Sequence, residues 1–372
     1  MKYKENWEDT KNKFTNWWKS QNEGRPLMCV IARKNEIVPL PDEYRSHDTF
    51  QKYRDPEHMI RRYRHFCENH LFLGESFPNM SADFGPGSLA AYIGSDIKFD
   101  MDTVWFEPCI KDNWTEISPI VFDPENKWWK EHYSLIKKCR ELAGDDFYIG
   151  IPDLMENVDV LASMRSAEPL IFDMLDDPEE MEARVRQIDD IYFEYFDRFY
   201  DLVKDKENGS CYTVFQIWGS GRTAKLQCDF SALLSPNNFR DFVQESLRRQ
   251  AKKMDHVLYH LDGPDAIKHV DALMEIDEID ALQWTSGDYG PDGTLEKWDA
   301  IYDKVRKAGK SLWIKVYDGG LEDWIKGVDR LVKKYGSAGL FFFFPVMSES
   351  EAKILLDYAE KNWSSVRGEF ER

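Results

Sequence analysis

The sequence feature that most constrains the fold is an alternation of short apolar runs with stretches of helical periodicity. The apolar runs predict eight strands, at residues 27–32, 76–80, 147–151, 213–217, 257–261, 281–284, 312–316 and 340–344. Helical periodicity predicts helices at residues 57–70, 124–143, 178–204, 236–254, 264–275, 295–308, 321–334 and 348–361. From residue 147 onward the two patterns alternate, which is typical of parallel βαβ units, and eight strands favour a closed sheet. The sequence therefore predicts an α/β fold of the TIM-type (β/α)8 barrel class.

Two segments fall outside this alternation. Residues 96–122 are rich in β-forming residues around a Lys-Asp-Asn turn, which predicts a β-hairpin insertion. The N-terminal segment places Trp7, Phe14, Trp17 and Trp18 on one helical face, which predicts a helical extension that covers one end of the core. We expect the 372 residues to form a single domain.

The composition disfavours several classes of partner. The chain has 68 acidic and 49 basic residues and a formal net charge of -19, which opposes binding to nucleic acids and anionic lipids. The longest apolar run, at residues 338–347, is about half the roughly 20 residues that cross a membrane. Six cysteines lie scattered without a CxxC pair, and the N-terminus lacks a signal-peptide core. We therefore expect a cytoplasmic protein with reduced cysteines that acts on a small molecule.

Polar side chains lie where the predicted strands end, which is where this class of barrel carries its catalytic groups. His260 and Asp262 end the fifth predicted strand and point the same way, because side chains alternate along a strand. Asp153 follows the third strand, and Lys315 and Tyr317 lie at the end of the seventh. We predict these five residues as catalytic candidates. The alternative is that Asp262 caps the helix that follows it, while His260 bonds to a neighbouring strand.

Aromatic and glycine residues complete the predicted substrate pocket. Trp218 follows the fourth predicted strand, Trp284 ends the sixth, and both are predicted to line the pocket. Phe84 and Gly85 open a glycine-rich segment that lacks the spacing of known phosphate-binding loops. We interpret this segment as a tight turn into a helix that lets the backbone approach the ligand.

Several segments together resemble the uroporphyrinogen decarboxylase superfamily, in particular a divergent bacterial branch of it. The resemblance covers nearly the whole chain. It rests on FGPGSLAAYIG (84–94), DTVWFEP (102–108), IPDLMENVDVLASMRSAEPLIFDMLDDPEEM (151–181), YHLDGPDAIKHVDALMEI (259–276), ALQWTSGDYGP (281–291) and GLFFFFP (339–345). The resemblance implies an α/β barrel, a homodimer, and one of two activities: methyl transfer, or decarboxylation without a cofactor.

The first hypothesis is a metal-assisted methyltransferase that acts on a small methylated compound. The family's methyltransferases carry a His-x-Cys-Gly motif at the end of the fifth strand, and this chain has His-Leu-Asp-Gly from residue 260. The resemblance therefore implies a zinc ion held by His260 and Asp262, with Asp153 or Glu107 as a further ligand. It also implies a corrinoid protein as partner.

The second hypothesis is a cofactor-free decarboxylase of a porphyrinogen or a smaller aromatic acid. Asp153 would orient the substrate while Arg33 or Arg165 holds a carboxylate. The family's decarboxylases carry an Arg-Gln-Ala-Gly-Arg segment after the first strand, of which this chain keeps Arg33. Arg165 can instead form a structural ion pair with Asp173.

Two further alternatives come from other classes of protein. Trp-lined clefts with carboxylates such as Glu107, Asp153 and Asp262 also suit carbohydrate-active barrels, although no spacing in the sequence defines a carboxylate pair. A binding protein with a decayed enzyme site is the other alternative.

Overall fold

The central element of the molecule is a mostly parallel β-sheet accompanied by many helices, which confirms the predicted α/β class. The structure is a computed structural model and describes residues 1–117, 119–287 and 290–371.

The secondary structure follows the chain in this order. The strands are β1 (Leu27–Arg33), β2 (His70–Gly74), β3 (Asn79–Met80), β4 (Asp96–Phe99), β5 (Val104–Glu107), β6 (Tyr148–Ile149), β7 (Gly209–Tyr212), β8 (Ile217–Ser220), β9 (Thr223–Gln227), β10 (His256–Asp262), β11 (Ala281–Thr285), β12 (Ser311–Lys315), β13 (Leu340–Phe343) and β14 (Met347–Ser348). The α-helices are α1 (Trp7–Trp18), α2 (Thr49–Tyr53), α3 (Pro56–Asn69), α4 (Ser88–Tyr92), α5 (Lys127–Ala143), α6 (Asn157–Arg165), α7 (Ala167–Asp176), α8 (Pro178–Val203), α9 (Pro236–Phe239), α10 (Glu245–Ala251), α11 (Val270–Met274), α12 (Asp299–Lys307), α13 (Leu321–Tyr335) and α14 (Glu349–Asn362). A π-helical turn at Arg240–Gln244 joins α9 to α10, and 3-10 turns lie at Asp42–Tyr44, Trp114–Glu116, Asp229–Leu233, Pro264–His269, Glu296–Trp298 and Glu369–Glu371.

Within the described residues, eight of these strands form one sheet in the order β14-β1-β13-β12-β11-β10-β9, with β2 beside β1. The pairing of β2 with β1 is antiparallel, and the other pairings in this sheet are parallel. Separate two-stranded pairs join β3 to β6, β4 to β5, and β7 to β8. From β10 to β13 the chain alternates strand and helix, as the sequence pattern predicted for this part of the chain.

The side chains of the central strands alternate between two apolar layers. One face of the sheet, called the inner face, carries Leu27, Cys29, Leu258, Ala281, Trp313 and Phe341, which belong to one buried cluster. The other face packs with the helices in a larger cluster that includes Val30, Tyr259 and Leu282. Parallel strands that are buried on both faces have nearly continuous apolar sequences, and for this reason the central strands could be predicted from the sequence.

Helix α1 covers the inner face at the end where the parallel strands begin. Phe14 and Trp17 are fully buried, and their rings lie 5.7 and 5.5 Å from the ring of Phe341. The Ser311 hydroxyl, at the first residue of β12, donates to the Trp17 carbonyl at 2.6 Å. The predicted N-terminal helix that covers one end of the core is therefore confirmed.

One predicted strand is wrong. Residues 213–216 form the turn between β7 and β8, and Ile217 is the first residue of β8. In this turn Gln216 has a φ of 51°, and its N–H donates to the Thr213 carbonyl at 3.0 Å. The sheet strand of this region is β9, whose sequence alternates polar and apolar residues and so contains no apolar run. The turn instead lays Phe215 over the inner face, where the Trp313 indole N–H donates to its carbonyl at 2.9 Å.

Two other predictions hold in part. Only residues 79–80 of the predicted strand at 76–80 are extended in a ladder, and the longer β2 precedes them. The predicted hairpin insertion is confirmed as β4 and β5, but it turns at residues 100–103. The Lys-Asp-Asn segment leads into a 3-10 turn instead, because the Asn113 side chain caps it by accepting from the Thr115 N–H. Ser118 of the predicted insertion lies outside the described residues.

The structure also bears on the membrane and the cysteines. None of the helices in the described ranges combines the length and the apolar character needed to traverse a bilayer. All six cysteines are free thiols, and five of them are buried.

Candidate functional site

Strand β9 carries a row of polar side chains on the inner face. Thr223, Lys225 and Gln227 alternate with apolar residues that face the helices, and all three are almost completely buried. Asp229 continues the row just beyond the end of the strand and is exposed. A buried lysine on an inner face costs free energy unless it is paired, so its partners identify a site of interest.

Lys225 sits in a network of carboxylates and a phenol. Its Nζ lies 2.8 Å from Asp153 Oδ1, and it also contacts the side-chain oxygen of Gln227. The Tyr212 hydroxyl donates to Asp153 Oδ2 at 2.7 Å. The Asp153 N–H in turn donates to Asp83 Oδ2 at 2.6 Å, so Asp83 and Asp153 are close neighbours.

The protonation states of this network follow from burial and charge. Burial, helped by the negative charge of Asp153, raises the pKa of Asp83 to about 7. Burial would also raise the pKa of Asp153, but Lys225 and the Tyr212 hydroxyl together outweigh it and lower that pKa. The pKa of Lys225 is raised, because Asp153 and Glu156 outweigh the opposing effect of burial. Near neutral pH the network thus holds an ion pair beside a carboxyl that can gain or lose a proton.

Gln227 links this network to Asp229. Its Nε2 donates to Asp229 Oδ2 at 2.9 Å, while its Oε1 contacts Lys225. The backbone of the same turn is held by Asp159, whose carboxylate accepts from the Asp229 and Phe230 N–H groups, each at 2.8 Å. Burial and the neighbouring charge of Asp229 raise the pKa of Asp159. Asp229 is therefore fixed both through its side chain and through its backbone.

His260 and Asp262 lie beside Asp229 on the inner face of β10. The ligand atoms that Asp229, His260 and Asp262 offer all lie within 4.8 Å of one another. The helical turn after Asp262 has Gly263 at its N-cap and no side-chain cap, so Asp262 is not the capping residue. The ring of Phe215 lies 5.2 Å from the His260 ring and forms part of the floor of the site.

The imidazole of His260 is oriented by its neighbour on β11. Its Nδ1 contacts Gln283 Oε1, and Gln283 Nε2 donates to Thr285 Oγ1 at 2.7 Å. An amide oxygen is an acceptor, so the proton of the neutral imidazole sits on Nδ1 and the lone pair on Nε2. The predicted alternative that His260 bonds to a neighbouring strand is thus confirmed. The same bond leaves the other ring nitrogen able to bind a metal.

The donor set fits a divalent metal ion. One imidazole nitrogen and two carboxylates are ligands that zinc accepts, and three protein ligands leave a position for water or substrate, as in catalytic zinc sites. Both Asp229 and His260 have partners that orient them, as ligands of protein metal sites commonly do. Cys228 precedes Asp229 but packs on the opposite face, and burial raises the pKa of its thiol well above the ordinary value. The centre is thus a nitrogen and oxygen site.

The structure brings together three of the five predicted catalytic residues. Asp153, His260 and Asp262 belong to one connected group through Lys225, Gln227 and Asp229. Lys315 and Tyr317 lie at the end of β12, with the Lys315 ammonium 5.4 Å from the Tyr317 ring. The Tyr317 hydroxyl donates to the Gly290 carbonyl, so it has a partner outside this group.

The predicted aromatic walls lie elsewhere. Trp218 is 3% exposed and packs against Trp7, 5.7 Å away, at the end that α1 covers. Trp284 alternates with Gln283, so it faces the helices, where Trp298 lies 5.0 Å away. Phe84 is buried against the His132 ring at 4.1 Å. Since all three side chains pack into the core, they do not line the group around His260.

Three other residues that were predicted from the sequence have partners of their own. The Gly85 N–H donates to Asp83 Oδ1 at 2.9 Å, and its φ of 94° supports the predicted tight turn. Arg165 pairs with Asp173 at 2.8 Å, which confirms the structural alternative for this residue. Glu107 pairs with Lys98 on the hairpin.

Sequence reasoning missed Tyr212, Lys225, Gln227 and Asp229. A signal for the last three was present, because residues 223–230 read TAKLQCDF, a strict alternation of polar and apolar residues. A search for continuous apolar runs passes over such a strand. Tyr212 gave no comparable signal, since its role depends on where the β7–β8 hairpin places it.

The sequence matches no protein-family model, and none of the curated proteins matches it either.

Proposed function

We propose that the chain is a metal-assisted enzyme that acts on a small molecule, and that its reaction is methyl transfer. The observation that carries the proposal is the convergence of Asp229, His260 and Asp262, whose ligand atoms lie within 4.8 Å of one another. All three lie at the C-terminal ends of adjacent parallel strands, where α/β enzymes carry their active sites.

The proposal includes closure of the sheet into a (β/α)8 barrel. Backbone bonds run from Tyr148 to Pro78 at 3.1 Å and from Ile151 to Cys211 at 2.9 Å, which extends β6 toward β3 and β7. The Thr223 N–H donates to Ser210 Oγ at 3.1 Å, between β7 and β9. These links support a path from β2, which pairs with β1, through β3, β6 and β7 to β9, which is the last strand at the other side of the sheet.

Each residue of the site has a role in this proposal. A bound zinc or similar ion would act as a Lewis acid that polarises the substrate or lowers the pKa of its attacking group. Asp229, His260 and Asp262 would hold the ion, while Gln227 and Gln283 orient two of these ligands.

The network of Lys225, Asp153 and Asp83 next to the proposed metal ligands would set the charge of the site and exchange protons with the substrate. The Lys225 ammonium keeps Asp153 ionised, and Asp83 holds or releases a proton near pH 7. Glu156 accepts the Gln227 N–H, and burial raises its pKa well above the ordinary value. The proposed metal ligands therefore lie beside the Asp153–Lys225 ion pair and the buried carboxyls of Asp159 and Glu156.

Methyl transfer is the reaction class that the family resemblance implies for a metal at this strand. The substrate would be a small methylated compound, and a corrinoid protein would be the partner that accepts or supplies the methyl group. The free thiols are compatible with the reducing cytoplasm as the place of action.

A second candidate is decarboxylation without a metal. The ion pair of Asp153 and Lys225 favours it, because a carboxylate held ionised beside a buried cation is a preorganised charge for the reacting centre. Of the two arginines predicted to hold a carboxylate, Arg165 is paired with Asp173.

Metal content and methyl transfer together test the proposal. We would purify the chain without a tag and measure metal in the native protein, in His260→Ala, and in His47→Ala, whose side chain is 55% exposed, as a matched control. The proposal predicts about one bound ion in the native chain and in the control, and none in His260→Ala. It also predicts methylation of reduced free cobalamin by the metal-loaded chain with a panel of methylated amines, ethers and thiols.

Different outcomes separate the two parts of the proposal. Equal metal content in all three proteins would contradict the metal centre. A bound ion without any methylation across the panel would contradict methyl transfer and leave another metal-assisted reaction. Turnover of an aromatic acid to carbon dioxide by a metal-free chain would establish the second candidate instead.

A further inference from the structure

A second cavity lies outside the connected group around His260. It has a volume of about 310 Å³ and is formed by the loop at residues 37–40, by α3 and by the start of β2. Its lining contains Arg33, Arg62, His65 and His70, and within the described part of the chain no carboxylate side chain lines it. A basic cavity is unexpected in a chain with a net charge of -19, so we name it the basic groove.

The loop that roofs the basic groove is fixed to α3. Asn69, which is 7% exposed, accepts the Val38 N–H on its Oδ1 at 2.6 Å and the Lys34 N–H on its carbonyl at 3.0 Å. The Asn69 Nδ2 donates to the His65 carbonyl at 2.8 Å. These bonds hold the groove open as a formed cavity between two elements.

One wall of the groove is apolar. Ile37 and Val38 are 54% and 65% exposed, and Leu40 and Phe66 line the same cavity. The Phe66 ring stacks on His70 with centroids 3.9 Å apart. Large apolar side chains that stay exposed beside a cavity gain free energy when a ligand covers them.

Among the described residues, no carboxylate pairs with the two arginines of the groove. Arg33 forms no hydrogen bond or ion pair from its side chain among the residues that the structure describes, and Arg62 reaches only the Ser46 hydroxyl at 3.3 Å. His70 donates its Nδ1 proton to the Phe66 carbonyl at 2.8 Å. Its pKa is lowered by burial and, to a smaller extent, by the charge of Arg33. Guanidinium groups without a carboxylate partner are ready to bind an anion.

We propose that the basic groove binds a small amphiphilic monocarboxylate. Its carboxylate is held by Arg33 and Arg62, and its apolar body packs against Leu40 and Phe66. A cavity of this volume suits a ligand at the small end of the usual range. The negative charge of the whole chain disfavours a polyanion, so the ligand carries one charge. None of the three proposed metal ligands lines this groove.

Octanoate is the probe that tests the groove. We would titrate it into the full chain by calorimetry and compare it with 1-octanol, which has the same length but no charge. The proposal predicts saturable binding of octanoate to one site and much weaker binding of octanol. Arg33→Gln and Arg62→Gln should each weaken octanoate binding roughly tenfold, since each removes a charge-assisted hydrogen bond. Arg367→Gln, at an exposed arginine elsewhere, is the matched control and should bind as the native chain does.

Several results would overturn the proposal. Equal binding of octanol and octanoate, or equal binding by all three variants, would show that the two arginines do not recognise the carboxylate. Binding of inorganic phosphate without binding of octanoate would show the wrong ligand class. Loss of octanoate binding in His260→Ala, with retention in Arg33→Gln and Arg62→Gln, would place the ligand at the metal centre. Circular dichroism of each folded variant keeps these results interpretable.

Discussion

The two ends of the inner face are built by the same strands, but one end carries apolar side chains and the other carries polar ones. On β10, Leu258 is buried in the apolar cluster, and two residues later His260 belongs to the polar group. On β11, Ala281 and Gln283 show the same change. At one end α1 closes the face with aromatic rings, and at the other end charged groups are held in a buried network. Since buried charges cost free energy where apolar packing gains it, the apolar end stabilises the fold, and the polar end is where we propose that the chemistry takes place.

The largest expected effect comes from breaking the apolar end. Trp17→Ala removes a fully buried ring that packs against Trp18 and Phe341. We expect the free energy of unfolding to fall by about 4 kcal/mol, because the change leaves a cavity. Urea denaturation measures this effect, and Trp17→Phe, which keeps an aromatic ring, is the control with a smaller loss. Metal binding by the folded fraction should persist, and a loss of metal affinity would contradict the separation of the two ends.

The next effect comes from breaking the buried ion pair at the polar end. Lys225→Met leaves Asp153 without its cation, so we expect a loss of about 3 kcal/mol in the free energy of unfolding. Adding Asp153→Asn should restore part of the loss, because it removes the uncompensated charge. The exposed pair of Lys206 and Asp145 supplies the control, and Lys206→Met should change stability little. If both lysine variants unfolded alike, the buried pair would not have the role assigned to it.

A smaller effect concerns the pH dependence of the polar end. The pKa of Asp83 is about 7 in the folded chain and near the ordinary 3.8 when unfolded, so the native state binds the proton more tightly. Its stabilising contribution is complete below pH 3.8 and is lost as the pH rises through 7. Between pH 6 and 8 this loss amounts to about 1 kcal/mol.

Urea midpoints at pH 6, 7 and 8 test this dependence in the native chain and in Asp83→Asn. The variant is expected to be less stable, because its amide cannot accept both backbone N–H groups that Asp83 accepts. Its stability should nevertheless change less with pH than that of the native chain. Equal slopes would show that Asp83 does not titrate in this range.

The change with the smallest expected effect on stability is Gln283→Leu, which should mainly lower the affinity for the metal. Gln283→Leu has a similar shape but removes the acceptor for His260 Nδ1. We expect a change of less than about 1 kcal/mol in the free energy of unfolding, and a metal affinity lower by roughly 10–100-fold. Competition with a chromophoric chelator measures the affinity. A large stability loss with unchanged affinity would mean that Gln283 serves packing rather than orientation of the imidazole.

The apolar end could be predicted from sequence more completely than the polar end. Strands β1, β10, β11, β12 and β13 read as apolar runs because they are buried on both faces, and α1 showed its aromatic stripe directly. The same criterion selected residues 213–217, of which 213–216 form a turn, and it missed β9, whose inner face is polar. The fold class and the helix positions can therefore be predicted from local sequence patterns. Strand β9 could be predicted only from an alternation of polar and apolar residues in which the polar residues face the inner side of the sheet.

The residues of the site were also predictable only in part. His260 and Asp262 were predictable because they share a strand, and Asp153 because it follows one. Trp218 and Trp284 were assigned to the pocket by residue type, but the alternation on β11 turns Trp284 toward the helices. The contacts of Lys225 with Asp153 join residues 72 positions apart, and only the folded chain brings them together.

The most direct test of the metal centre at the polar end is anomalous diffraction from crystals of the full chain loaded with zinc. The account predicts one strong peak, bonded by carboxylate oxygens of Asp229 and Asp262 and by His260 Nε2, at distances of about 2.0–2.2 Å. A peak bonded by other residues, or none at these three at saturating zinc, would contradict the metal centre and with it the proposed metal-assisted reaction.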